Sequence, residues 1–135
     1  MQSLVFLEDS RTVEILSHYI DHEDRALAAY ACLMIAQTRH ESAAKILFDA
    51  VSRFKQEPLL AVILALASLR TDDSQTHLLR LAEAWEEEVR LALVEALRDS
   101  QGEAERACLL EMTEQDSSAR VRRSAKSVLE EWARA

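Results

Sequence analysis

Four leucines, Leu16, Leu47, Leu78 and Leu109, fall at equal steps of 31 residues, and the positions around them keep the same step. Tyr19, Ala50, Leu81 and Met112 form a second ladder, and Ser17, Phe48, Leu79 and Leu110 a third. A fixed period of this length implies stacked supersecondary units, none able to bury its apolar face alone. The units are helical. The chain has one glycine (Gly102) and one proline (Pro58) in 135 residues, and those are the two residues that most often punctuate turns and break helices. No segment alternates polar and apolar residues for long enough to form a strand. The reading is all-α, a single domain over 1–135, with approximate repeats at 9–37, 41–70, 74–98 and 101–134.

Each repeat reads as a pair of helices. Asp9-Ser10 offers cap chemistry ahead of Val13, Leu16, Tyr19 and Ile20, and a second helix follows from about Glu23 with Leu27, Tyr30, Ala31, Met34 and Ile35 on one face. Helix three spans about 41–54 and buries Ala44, Leu47, Phe48 and Val51. Pro58 opens helix four, where its missing N–H costs nothing. Thr71 to Ser74 cap helix five, and Glu86-Glu87-Glu88 set three carboxylates against the positive end of helix six. Ala107, Cys108, Leu109 and Met112 belong to helix seven. Helix eight follows Asp116-Ser117-Ser118 and presents Val121, Ala125, Val128, Leu129 and Trp132. The second helices align through Leu27, Leu59, Val89 and Val121 at steps of 32, 30 and 32.

Two of these second helices resemble the HEAT repeat. Asp116-Ser-Ser-Ala-Arg-Val121-Arg122-Arg-Ser-Ala125-Lys-Ser-Val-Leu129 has the acidic turn, the Val-Arg pair, then Ala and Leu in step, and Glu88-Val89-Arg90 to Ala96-Leu97 repeats the Val-Arg opening. Helix two, with Ala28, and helix four, with Leu60, lack the Arg. A tetratricopeptide array would carry a recurrent Gly and Pro, and neither recurs here. The resemblance implies a short right-handed α-solenoid of about four hairpins, with second helices lining a concave face. The Arg is expected to reach the acidic turn of an adjacent pair. The family mostly binds other proteins, and it also includes lyase-type chromophore-attachment subunits, DNA-glycosylase relatives and an iron-dependent hydroxylase, so fold alone does not give activity.

Charge narrows the partner. Sixteen basic against 24 acidic residues leave a net charge of −8, which opposes phosphate backbones and anionic membranes. The chain therefore reads as binding neither nucleic acid nor membrane. Residues 118–135 are the exception, with five basic and two acidic side chains, and they form a basic end able to meet the Glu86–Glu88 region of another copy. The N-terminus lacks the basic n-region of a signal peptide, and the most apolar segment, 59–69, falls short of the ~20 residues that span a bilayer. Cys32 and Cys108 read as small buried hydrophobes, consistent with a cytoplasmic location.

Candidate functional residues follow from surplus apolarity and from charge. Helix four is apolar on every face, so Leu60 and Leu64, an i, i+4 pair, point either into flanking helices or into the groove as a binding patch. With them, Arg90, Val94, Arg122 and Lys126 are expected to project from the concave face toward a protein or peptide partner, or another copy. His22-Glu23 and His40-Glu41 carry ligand types suited to iron. They are 18 residues apart and open helices of different type, so they lack the repeat equivalence the hydroxylase needs. No nucleophile motif or phosphate loop is visible. The reading is an adaptor without catalytic residues, metal or cofactor. A non-catalytic subunit of an enzyme complex, similar to the lyase-type proteins, is the alternative, and a metal-dependent hydroxylase is third.

Overall fold

In the computed structural model, which describes the backbone of residues 2–134 and the side chains of 10–134, eight α-helices are joined by short turns. They are α1 (Gln2–Ser17), α2 (Arg25–Thr38), α3 (Ala43–Ala50), α4 (Gln56–Ser68), α5 (Asp72–Arg80), α6 (Glu87–Leu97), α7 (Glu103–Gln115) and α8 (Ala119–Arg134). Tight 3-10 turns at Val51–Arg53 and Leu81–Glu83 extend α3 and α5. No strand occurs among the described residues.

Short polar side chains cap α2 and α5, whereas α3, α4, α6 and α7 start without a side-chain cap bond. The Asp24 carboxylate accepts from the amides of Ala26 and Leu27 at 3.1 and 3.2 Å. At α5 the exchange is reciprocal: the Ser74 amide donates to Thr71 Oγ1 at 3.0 Å and the Thr71 amide to Ser74 Oγ at 2.9 Å. Each bond satisfies a donor that the first helical turn leaves unpaired. Asp9-Ser10 does not cap α1, which runs through both residues. The missing glycines leave their mark at the helix ends. Arg39 and Arg70 occupy the left-handed region, with φ of 54° and 52°, a conformation that costs an L-residue roughly 1–2 kcal/mol.

The chain divides into two units, residues 1–77 and 78–135, with the boundary inside α5. In the first, α1 packs on α2, α3 on α4, and α2 on α4. Its core is Cys32, Ile35, Leu47, Leu59, Val62, Ile63 and Leu66, all essentially inaccessible to solvent. In the second, α8 packs against α7 and α6, around Leu93, Val94, Leu97, Leu109, Val121 and Val128. Trp132 completes that unit, donating its indole N–H to the Arg98 carbonyl at 2.7 Å.

The leucine ladder is core. Leu47, Leu78 and Leu109 are buried and Leu16 half-buried, and Ala50, Leu81 and Met112 of the second ladder are also buried. The expected face of α2 is corrected by one residue. Leu27 and Tyr30 are exposed, while Ala28, Ala31, Cys32 and Ile35 are buried. Ala28, not Leu27, is thus the burial equivalent of Leu59, Val89 and Val121. The first half of α2 is apolar on most faces, so its pattern fits either register, and small Ala at the crossing is what lets α2 and α4 approach.

Candidate protein-interaction site

Arginines tie the hairpins together, and this decides which expected site residues are free to bind. Arg90 grips Asp116 with two bonds, Nε to Oδ2 at 2.9 Å and Nη2 to Oδ1 at 3.3 Å. Its Nη1 donates to the carbonyls of Ala84 and Trp85 at 2.8 and 3.0 Å. The Asp116 side chain is 4% exposed and that of Arg90 11%, so the pair is internal and holds α6 to the turn before α8. Arg122 Nη1 donates to the Asp116 carbonyl at 2.7 Å and finishes the same junction. Such fork-shaped contacts are specific to arginine.

Arg25, which the sequence reading passed over, does this work in the first unit. Its Nη1 donates to the carbonyls of Ile20 and His22, and its Nη2 to that of Arg53 at 2.9 Å. The guanidinium also lies 4.5 Å over the Phe54 ring. Arg25 stands about one turn ahead of the Val-Arg register, which explains why a fixed-step search overlooks it. Arg39 adds a bond to the Leu69 carbonyl at the end of α4, at 2.6 Å.

The six expected contact residues therefore separate. Val94 is fully buried in the second-unit core and presents nothing to a partner; α6 packs against α8 in that unit. Arg90 is committed to Asp116. Arg122 is half-buried and Lys126 exposed, both on α8. Leu60 is half-buried, and Leu64 is 45% exposed on α4. The two alternatives for helix four divide between these leucines: Leu60 belongs largely to the packing and Leu64 to the surface.

Leu64 lines an open groove between α2 and α4. Leu33, Ala36, Gln37, Arg39, Ala65 and Ser68 complete it, enclosing about 530 Å³. Leu33 and Tyr30 add exposed apolar surface along α2. Leu33 and Tyr30 were not picked out as contact residues because periodicity marks an apolar helix position without saying whether it faces core or solvent. Trp85, in the turn before α6, is the most exposed of the large apolar side chains among the described residues, at 93%, ahead of Ile15 at 60%. Its place in a Glu-rich turn, outside any helix face, was legible in the sequence.

The basic and acidic segments adjoin within the second unit, where Arg120 lies 3.4 Å from Glu87. The complementarity expected between copies is partly met inside one chain. The histidines serve turns: His22 Nδ1 accepts from the Asp24 amide at 3.0 Å, and His40 bridges Ser10 and Ser42 at 3.0 and 2.7 Å. Among the described residues, no three His, Cys, Asp or Glu side chains converge as a metal site would require. No helix is long and apolar enough to cross a membrane among the described residues.

Burial pushes both thiols up to about 11, with Arg25 and Arg53 opposing the rise at Cys32, and Glu111 and Glu105 adding to it at Cys108. At neutral pH little thiolate is present, and the thiolate is the reactive form. Iodoacetamide should alkylate the native protein on the order of a hundredfold more slowly than the urea-unfolded chain. Mass spectrometry of timed samples measures the ratio, and equal rates would contradict the burial described here.

The family model described as HEAT repeats matches residues 12–98. No curated protein and no solved structure gives a match.

Proposed function

Since the chain belongs to the HEAT-repeat family, whose members generally mediate protein–protein interaction, we propose that it is a non-catalytic adaptor holding a helical segment of a partner protein in the α2–α4 groove. The carrying observation is the pair of exposed leucines, Leu33 and Leu64, lining one groove from adjacent second helices. Two ridges of that kind suit the apolar stripe of an amphipathic helix, read as anchors at i, i+3, i+4 and i+7. Gln37, Arg39 and Ser68 supply polar edges that fix the register of the incoming helix without adding much affinity. Full burial of a leucine is worth roughly 1.5–3 kcal/mol, so covering the exposed part of two accounts for a useful share of a micromolar contact.

Leu33→Glu/Leu64→Glu tests this reading. Both leucines are partly in solvent, at 36% and 45% exposed, so the double variant should stay folded and helical while losing about 1–3 kcal/mol of stability. Proteins recovered with the parent chain from its native cell should be lost with the double variant, as measured by quantitative mass spectrometry. Recovery of the same proteins in the same amounts would remove the groove from the function.

A further inference from the structure

We propose that Trp85 anchors a second interaction surface, one that takes a Lys- or Arg-rich segment of a partner protein with a cation laid on the indole face. Its ring is 93% exposed, an expensive arrangement for the largest apolar side chain in the chain. The backbone beneath it is pinned, because Arg90 donates to the Ala84 and Trp85 carbonyls while gripping the buried Asp116 carboxylate. The side chain thus stands on a fixed base, which lowers the ordering cost of binding. Tryptophan is the best aromatic partner for a cation and is enriched among residues that dominate interface energies.

The neighbouring charges select the sign of the partner. Glu83, Glu86, Glu87 and Glu88 are exposed on either side of Trp85 along the chain. Glu87 pairs with Arg120, itself 71% exposed, at 3.4 Å, and a pair of that kind is weak enough to exchange. A nucleic acid stacking on the indole would bring its phosphates against these carboxylates, whereas a basic segment gains from them. This surface lies in the second unit and does not depend on the α2–α4 groove.

Calorimetric titration of the full chain with a synthetic Lys/Ala peptide tests the proposal, with a Glu/Ala peptide and a single-stranded oligonucleotide as competitors for the same surface. The parent chain should bind the Lys/Ala peptide in preference to both, with weakening as salt rises. Trp85→Ala should weaken that binding about tenfold or more, with an unchanged circular-dichroism spectrum because the side chain packs on nothing. Glu86→Gln/Glu87→Gln should weaken it severalfold and flatten its salt dependence. Leu64→Glu should leave it intact. Equal binding by Trp85→Ala, preference for either competitor, or loss of the peptide in Leu64→Glu would each overturn the assignment.

Discussion

Arg90→Ala should lower the stability of the protein by about 3–5 kcal/mol, read as a fall in the urea midpoint with little change in slope. The cost comes from what the truncation leaves behind. Asp116 is 4% exposed, and among the described residues its carboxylate would keep the Ser118 amide, at 2.8 Å, as its donor. The Ala84 and Trp85 carbonyls would lose a charged donor as well. Asp116→Ala should cost a comparable amount by stranding the guanidinium. The double variant should cost less than the two added together, because both damages belong to one network. Arg122→Ala removes a single bond to the Asp116 carbonyl and should cost about 1 kcal/mol. Stability of Arg90→Ala within about 0.5 kcal/mol of the parent would show that the junction is held by apolar packing alone.

Val94→Lys should be the other severe change, costing more than about 4 kcal/mol or abolishing the native fold of the second unit. Val94 has no solvent-accessible surface, so an ammonium placed there is cut off from water inside an apolar core. Position 126 is its counterpart one repeat later, five residues after Val121 as Val94 is five after Val89. There the chain already carries lysine, exposed on α8. Lys126→Val should therefore shift stability by no more than about 0.5 kcal/mol. Chemical denaturation of the two single variants compares the sites directly, and similar effects at both would contradict the burial of Val94.

This asymmetry shows where the legibility of the candidate site stopped. Arg90 and Arg122 have the same local sequence setting, as do Val94 and Lys126 by register, and all four were expected to face a partner. Helical period places a residue on a stripe, but only a neighbouring helix converts that stripe into core. Leu60 and Leu64 illustrate the same limit on one helix, since an all-apolar segment has no polar face to mark its outside. The clamp by Arg25 was hidden for another reason: a long guanidinium ties turn carbonyls, those of Ile20, His22 and Arg53, from a position about a turn away from the Val-Arg register, so its role does not keep the repeat step.

What followed from the sequence by itself was the all-helical character, the ladder of leucines at steps of 31, the caps at Thr71–Ser74 and Asp116–Ser118, and the membership in a repeat family. These are consequences of local backbone preference and of a hydrophobic period, both of which act within a few turns of the chain. The tertiary structure alone decided which arginines became internal ties, which valine became core, and which leucines and tryptophan stayed in water. Those outcomes depend on burial and on pairing between groups some 26 to 30 residues apart, where the free energy of a side chain is set by its neighbours rather than by its own position on a helix.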